Sequence, residues 1–254
     1  MMQQEQRHDP WPEIGQKILI AVRSELYLNL PFLDAALCQL YPGYLAAWRR
    51  YARLLTQKNA LLKHYDRTPG AAQMLDVFDE ELARYGQELT LRRMEYMKRL
   101  RPLVTANYRD ISQGSEELEL VYQPSFDEKG LLETLRESRK ADLKAGFSTA
   151  GPHREDFSVL MDGQPAKLFA SQGQQRSAVL SLKLAEASCA QEITGEHPVM
   201  LLDDVLSELD ATRQEYLLTR MRQKQTIVTA CDSSLFHKTE GELFRMEGGV
   251  LEKL

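Results

Sequence analysis

Two neighbouring carboxylates follow a short apolar run in the C-terminal part of the chain. Asp203 and Asp204 come directly after residues 199–202, Val-Met-Leu-Leu, and four consecutive apolar residues are typical of a buried strand in a parallel sheet. Ligands of open α/β sheets bind beyond the carboxyl ends of the strands. One carboxylate there can hold Mg2+, and its neighbour can orient or deprotonate a water molecule. A single aspartate after a strand more often caps a turn, but this pair, followed by Ser-Glu-Leu-Asp at residues 207–210, favours the metal and water interpretation.

A second polar stretch precedes a long apolar helix. Ser171, Gln172, Gly173 and Gln174 lead into an apolar run with helical spacing over residues 178–187. A helix that begins here exposes unpaired backbone N–H groups and the positive end of its dipole, and a glycine lets an anion approach the backbone closely. The stretch therefore suits a phosphate. Ser171 can equally be an ordinary N-cap, and on this segment alone the cap is the commoner outcome.

The N-terminal part of the chain is predicted to form a helical lid or arm. Residues 1–30 show weak periodicity and receive no assignment. Between residues 31 and 101, apolar residues recur at steps of three and four. Residues 65–70, Tyr-Asp-Arg-Thr-Pro-Gly, are turn formers and predict that two helices fold back on each other. We place the arm at residues 31–145.

Basic residues lie opposite the apolar face of the predicted arm helices. Arg49, Arg50, Arg53 and Lys58 are candidates for binding DNA phosphates. On these residues alone, a solvated helix face is the more frequent explanation of such a run. Further basic residues follow on the second helix: Arg92, Arg93, Lys98, Arg99 and Arg101.

The remainder of the chain, residues 146–254, is predicted to be an α/β lobe. Residues 157–161 and 164–169 read as a β-hairpin, because Asp162-Gly163 tolerates the positive φ angles of a type I′ turn. A buried strand is predicted at residues 226–230. Two further elements are predicted before this lobe. One is a strand at residues 117–122, where apolar and polar residues alternate, and the other is a helix at 131–144.

Composition and charge narrow the functional classes. The chain has 254 residues, 43% of them hydrophobic, and its net charge of -5 gives no global attraction to nucleic acid or to an anionic membrane. Cys38, Cys189 and Cys231 are scattered, which argues against a disulfide framework or zinc site and indicates a reducing compartment. The apolar run at residues 18–22 is too short for a signal peptide or a membrane span. We therefore expect a cytoplasmic protein without a membrane partner.

Four motifs in a fixed order resemble the C-terminal half of the RecF family of bacterial DNA replication and repair proteins. They are GPHRED at residues 151–156, SQGQQR at 171–176, LLDD at 201–204 and SELD at 207–210. The resemblance extends back to residues 31–63, which look like the segment by which that family enters its helical arm. It implies an α/β fold: the C-terminal lobe of an ABC-type ATPase head, with a partly parallel sheet flanked by helices, and a mainly helical lid or arm.

The resemblance also implies how ATP would be bound. SQGQQR is similar to the ABC signature motif, which in that family faces the nucleotide of the opposite subunit. Ser171, Gln172, Gly173 and Gln174 would then contact the γ-phosphate across an ATP-dependent homodimer.

LLDD resembles the Walker B strand, which implies that Asp203 is the Mg2+ partner and Asp204 the general base. Many ABC relatives have glutamate at the second position, so the shorter Asp204 must approach its water more closely. Asp210 falls at the D-loop, which links the two nucleotide sites of a dimer. Cys231 falls near the position of the switch histidine in many ABC proteins, and a thiol cannot replace imidazole as a charged γ-phosphate sensor at neutral pH.

The Walker A motif of the family, G-x-x-x-x-G-K-[ST], does not occur in this sequence. The nearest string, Gly15-Gln16-Lys17-Ile18, lacks the first glycine and the terminal hydroxyl. We expect a truncated RecF-type chain that cannot hydrolyse ATP alone.

The resemblance implies a protein that binds single-stranded and gapped DNA and ATP in recombinational repair and the SOS response, together with recombination mediator proteins. An alternative from another class is a non-catalytic DNA-binding or protein-binding module derived from that family. A metal-dependent phosphohydrolase centred on Asp203 and Asp204 is a weaker option, because no histidine or further carboxylate cluster supports it.

Overall fold

The structure is a computed structural model, and it describes most of the chain between residues 19 and 254. The described residues are 19–22, 30–221, 224–232, 236 and 241–254. Residues 15–18, the string nearest to a Walker A motif, lie outside them, as does most of the unassigned region 1–30.

The chain divides into two compact units. One unit is Glu25–Gly195, and the other combines Met1–Ser24 with Glu196–Leu254. The predicted boundary between residues 145 and 146 does not coincide with this division, because residues 146–195 belong with the helical arm.

Helices dominate the larger unit, and a single long helix forms its axis. This helix, α3 (Ala71–Ser112), continues past residue 101, where the sequence prediction ended, because Val104, Tyr108 and Ile111 extend the buried stripe. The connection at residues 64–70 lets α2 (Pro42–Lys63) and α3 pack side by side, as predicted. Among the described residues, no helix is both long and apolar enough to cross a bilayer. Two further helices of this unit are α1 (Leu30–Leu40) and α4 (Leu131–Ala145).

A small antiparallel sheet follows in the same unit, with β2 (Leu118–Gln123), β3 (Asp156–Met161) and β4 (Gln164–Pro165) in that order. Asp162 and Gly163 have φ angles of 47° and 76°, as a type I′ turn requires. The predicted second strand at residues 164–169 is wrong beyond Pro165. Proline lacks the N–H that would continue the ladder, and the chain turns instead into the short helix α5 (Ala166–Phe169).

The helix after the polar stretch, α6 (Gln172–Thr194), is buried on several sides, as its sequence predicted. It packs along α3, and the side-chain amide of Asn107 donates to the carbonyl oxygen of Ser181 at 3.2 Å. This packing is why residues 146–195 join the unit of the arm.

Lys58, predicted to lie on the solvent-facing side of the arm, is buried, and that prediction is wrong. Its exposed fraction is 1%. Its ammonium group lies 2.9 Å from Asp79 and 2.8 Å from Asp142. Since a buried cation requires a carboxylate partner, Lys58 holds α2, α3 and α4 together and is not available to a DNA phosphate.

Arg93 on α3 is also buried, with 1% exposure, contrary to the sequence prediction. Its Nε and Nη2 atoms donate to the two carboxylate oxygens of Asp34, each at 3.0 Å. Its Nη1 atom donates to Glu155 at 2.7 Å and to the carbonyl oxygen of Pro152 at 2.9 Å. One guanidinium therefore joins α1, α3 and the segment just before β3.

The smaller unit contains a parallel sheet in which β5 (Val199–Asp203) lies between β1 (Leu19–Val22) and β6 (Thr226–Thr229). Val199, Met200 and Leu202 are buried, so the predicted buried strand is confirmed. Strand β1 falls in the region that received no assignment. The unit also contains helix α7 (Ala211–Met221) and a hairpin of β7 (Phe244–Glu247) and β8 (Val250–Lys253).

Replacing Arg93 with alanine should lower the free energy of unfolding by about 3 to 5 kcal/mol, because the carboxylates of Asp34 and Glu155 would lose their buried partner. Its exposed neighbour Arg92 pairs with Glu95 at the surface, and Arg92→Ala should cost less than about 1 kcal/mol. Urea unfolding followed by circular dichroism measures both changes. Equal unfolding midpoints for the two variants would contradict the anchoring role of Arg93.

Candidate functional site

The two adjacent aspartates lie at the carboxyl end of the central strand of the parallel sheet. Asp203 is the last residue of β5, Asp204 follows it, and both are exposed. The hydroxyl of Thr229, at the end of β6, donates to Asp203 Oδ1 at 2.8 Å. Asp203 and Thr229 are register partners, so the sheet itself positions the first carboxylate.

Asp204 has an unusual backbone conformation. Its φ angle is +52°, a left-handed conformation that aspartate tolerates better than most residues but that still favours glycine. Its N–H donates to both the carbonyl oxygen and the hydroxyl of Thr229, at 3.2 and 3.1 Å. Thr229 therefore holds both aspartates, and sequence reasoning missed it because only the register of β5 and β6 brings it there.

Asp210 immediately precedes α7 and caps it. Its carboxylate accepts from the backbone N–H of Arg213 at 3.0 Å and from the guanidinium of Arg213 at 2.5 Å. The backbone N–H of Arg213, followed by its positive charge, lowers the pKa of Asp210. Ser207 steadies the preceding loop by donating to the carbonyl oxygen of Asp204 at 2.8 Å. The candidate D-loop residue thus remains ionised and engaged with its own helix.

Ser171 forms a capping box with Gln174 at the start of α6. The backbone N–H of Gln174 donates to Ser171 Oγ at 3.3 Å, and the N–H of Ser171 donates to Gln174 Oε1 at 2.6 Å. Ser171 and Gln172 are exposed, and Gly173 is half-buried. Ser171 Oγ accepts the hydrogen bond of the cap, so this bond does not use the hydroxyl proton of Ser171. The cap and a phosphate contact are therefore compatible.

The structure brings Asp203 and Asp204 together with Thr229, and Ser171 together with Gln174. The aspartates, including Asp210, belong to one compact unit and the capping box to the other.

The carboxylate of Asp203 fits the needs of Mg2+. In the described ranges, no three His, Cys, Asp or Glu side chains converge on one point, so a cage made only of protein ligands is not available there. Mg2+ keeps several waters and is bound through one or two carboxylates plus substrate phosphates. An exposed carboxylate, oriented by a threonine hydroxyl, suits that requirement.

The predicted DNA-binding residues of the arm divide into two groups. Arg49, Arg50 and Arg53 are exposed on α2, while Lys58 is buried in its ion pairs. Cys231, near the position of the family's switch histidine, is an exposed free thiol.

The GPHRED motif, residues 151–156, makes structural contacts within the larger unit. Gly151 has a φ angle of +125°, and a Cβ there would lie 2.5 Å from the hydroxyl oxygen of Tyr51. His153 Nε2 lies 3.0 Å from the carbonyl oxygen of Ser148, and Nδ1 lies 2.8 Å from the Tyr51 hydroxyl. Burial lowers the pKa of His153, so its neutral form joins these groups, and Glu155 completes the motif by binding Arg93.

The chain is similar in sequence to RecF proteins of several bacteria. The chain is 39% identical to the DNA replication and repair protein RecF of Lachnoclostridium phytofermentans over 225 residues, which are 87% of this chain and 62% of the relative. It is 41% identical to the RecF protein of Agathobacter rectalis over 224 residues, which are again 87% of this chain and 62% of the relative. The chain thus spans 62% of the length of these relatives. No family model matches the chain.

A solved structure, that of the recombination mediator protein RecF-ATPrS in the RecFOR pathway, is similar in fold. Its TM-score is 0.81, with 32% identity over 95% of this chain and 69% of that chain. The predicted fold class, an ABC-type ATPase lobe with a helical arm, is confirmed by this match.

Replacing Asp204 with glycine should give a chain more stable than Asp204→Ala by about 1 kcal/mol, because only glycine adopts the φ angle of +52° without a steric penalty. Chemical unfolding of the two variants measures the difference. Since both variants lose the carboxylate, its loss cancels in the comparison. Equal stability would show that residue 204 does not hold this conformation in solution.

Proposed function

The chain belongs to the RecF family of DNA replication and repair proteins, and we propose that it binds ATP between two subunits and binds single-stranded or gapped DNA. The observation that carries this proposal is the exposed pair Asp203 and Asp204 at the carboxyl end of β5, held by Thr229. Similar solved structures are of RecF-ATPrS and RecF-ATP, which supports ATP as the nucleotide.

In this proposal the two aspartates have different tasks. Asp203 would hold Mg2+, which neutralises phosphate charge when it is bound. Asp204 would accept a proton from the attacking water or orient that water. Asp204 has the left-handed backbone conformation, and the two hydrogen bonds from its N–H to Thr229 fix the backbone there. Both residues lie exposed at the carboxyl end of β5.

Residues 171–174, which we call the signature stretch, would supply the contact with nucleotide across the dimer. The hydroxyl of Ser171 and the amides at the start of α6 would donate to the γ-phosphate held by a second subunit. The capping box supports this assignment, because it orders Ser171 while its side chain stays exposed. Asp210 would take part only by sharing a carboxylate that already binds Arg213.

DNA would be bound by the exposed arginines of α2. Arg49, Arg50 and Arg53 lie within two turns of one helix, and such a cluster binds phosphates independently of sequence. The net charge of -5 supports a local site, since the chain as a whole does not attract DNA.

We place this activity in recombinational repair and the SOS response, in the cytoplasm, with recombination mediator proteins as partners. RecF-ATP is described as a recombination mediator protein of the RecFOR pathway, which supports that setting. The alternative, a DNA-binding or protein-binding module without turnover, is favoured by the absence of a Walker A string from this sequence.

The isolated chain should hydrolyse no ATP above background, because it contains no phosphate-cradling Walker A string. In the presence of Mg2+ and ATP, it should associate with the full-length Lachnoclostridium phytofermentans relative. Analytical ultracentrifugation with and without nucleotide measures the association, and phosphate release measures turnover.

Ser171→Arg should abolish the ATP-dependent association, because a long side chain would occupy the position of the phosphate. Ser171→Thr keeps the hydroxyl and the cap and should associate as the unchanged chain does. Turnover by the isolated chain would contradict the prediction that it cannot hydrolyse ATP alone. Association of Ser171→Arg would count against the signature assignment.

Replacing Arg49, Arg50 and Arg53 together with glutamine should weaken single-stranded DNA binding and reduce the slope of log K against log salt concentration by about 2. The matched control changes three exposed basic residues of α4 to glutamine: Arg136, Lys140 and Lys144. Fluorescence anisotropy with a labelled oligonucleotide at several salt concentrations measures both variants. Equal losses in the two variants would mean that the arginines of α2 form no specific DNA site.

A further inference from the structure

Glu116 connects the C-terminal end of α3 to the N-terminal end of α6. It lies between α3 and β2 and is half-buried. The side-chain Nε2 of Gln174 donates to Glu116 Oε1 at 2.7 Å. The hydroxyl of Tyr108, a buried residue of α3, donates to Glu116 Oε2 at 2.5 Å. Both oxygens of one carboxylate are thus engaged, one by each helix.

The carboxylate decides which way the amide of Gln174 points. An ionised carboxylate accepts hydrogen bonds and cannot donate them, so Gln174 must turn its NH2 group toward Glu116. The amide oxygen then faces the backbone N–H of Ser171, which donates to it at 2.6 Å. The opposite amide orientation would set oxygen against oxygen at Glu116 and NH2 against N–H at Ser171. Glu116 therefore selects the orientation that closes the capping box.

The loop carrying Glu116 is fixed on its other side. The backbone N–H of Glu117 donates to Asp162 Oδ1 at 2.9 Å, and the N–H of Asp162 donates back to the carbonyl oxygen of Glu117, also at 2.9 Å. The hydroxyl of Thr105 donates to the carbonyl oxygen of Leu118 at 3.0 Å. The backbone next to Glu116 is thus held by α3 and by the β-hairpin turn.

We propose that Glu116 is a positioning residue of the signature stretch: through Gln174 it holds Ser171 in the orientation needed to meet a γ-phosphate, and through Tyr108 it ties that orientation to the arm. This inference rests on the proposed function of Ser171. It adds that a displacement of the last turns of α3 would be transmitted to the signature stretch through one carboxylate.

A charge-exchange cycle tests the proposal. Gln174→Glu places two carboxylates against each other and should weaken ATP-dependent association with the full-length relative roughly tenfold. Adding Glu116→Gln restores one donor and one acceptor at this contact, and the double variant should return to within roughly threefold of the unchanged chain. Glu117→Gln, a neighbouring exposed position, serves as the matched control and should have no effect.

A second measurement follows the capping box in the chain by itself. Amide hydrogen exchange at Ser171, measured by NMR, should accelerate roughly tenfold in Glu116→Ala and remain unchanged in Glu117→Ala. Thermal unfolding of each variant shows whether the chain is folded. A role confined to overall stability would change exchange at many amides, not selectively at the start of α6.

The outcomes separate the inference from the proposed function. If the unchanged chain does not associate with the relative in the presence of ATP, the proposed function is wrong and the phosphate-positioning role of Glu116 fails with it. If it associates but the double variant is no better than Gln174→Glu, the role of Glu116 alone is wrong. Restored association together with selective exchange at Ser171 supports both.

Discussion

The requirement that a buried guanidinium be paired determines much of the larger unit. Arg93 is placed by the helical spacing of α3 in a position without solvent, where an unpaired charge is not tolerated. Asp34 and Glu155 must therefore reach it from α1 and from the GPHRED motif. The hydroxyl of Tyr122 donates to Glu155 as well, which adds β2 to the cluster. Four segments distant in sequence thus meet around one guanidinium.

The same requirement explains where sequence reasoning did and did not succeed. Strand β5, the Asp162-Gly163 turn and the start of α6 depend on neighbouring residues, and each could be predicted from its own pattern. Lys58 and Arg93 have the pattern of an exposed helix face, yet their carboxylate partners lie on other helices and loops. A charged residue whose partners are remote looks solvent-exposed in the sequence. Only the three-dimensional packing distinguishes the two cases.

The candidate site shows the same division. Two adjacent aspartates after an apolar run are a local signal, and the structure has both exposed at the carboxyl end of a parallel strand. Thr229 and Glu116 gave no such signal. The position of Thr229 depends on strand register, and that of Glu116 on a contact between the α3–β2 connection and α6. The sequence therefore predicted the residues proposed to bind Mg2+ and water, but it did not predict the residues that orient the site.

Ser171 and Asp210 differ in how much of their bonding capacity remains for a ligand. The hydroxyl of Ser171 both accepts and donates, and its cap uses only the acceptor function. An anion can thus be added without breaking the cap. The carboxylate of Asp210 can only accept, and both of its oxygens already bind Arg213. A partner of Asp210 must therefore be a donor that shares these oxygens or displaces the arginine side chain. In the proposed function, Ser171 is therefore suited to direct contact with phosphate, and Asp210 is suited to linking a second subunit to the start of α7.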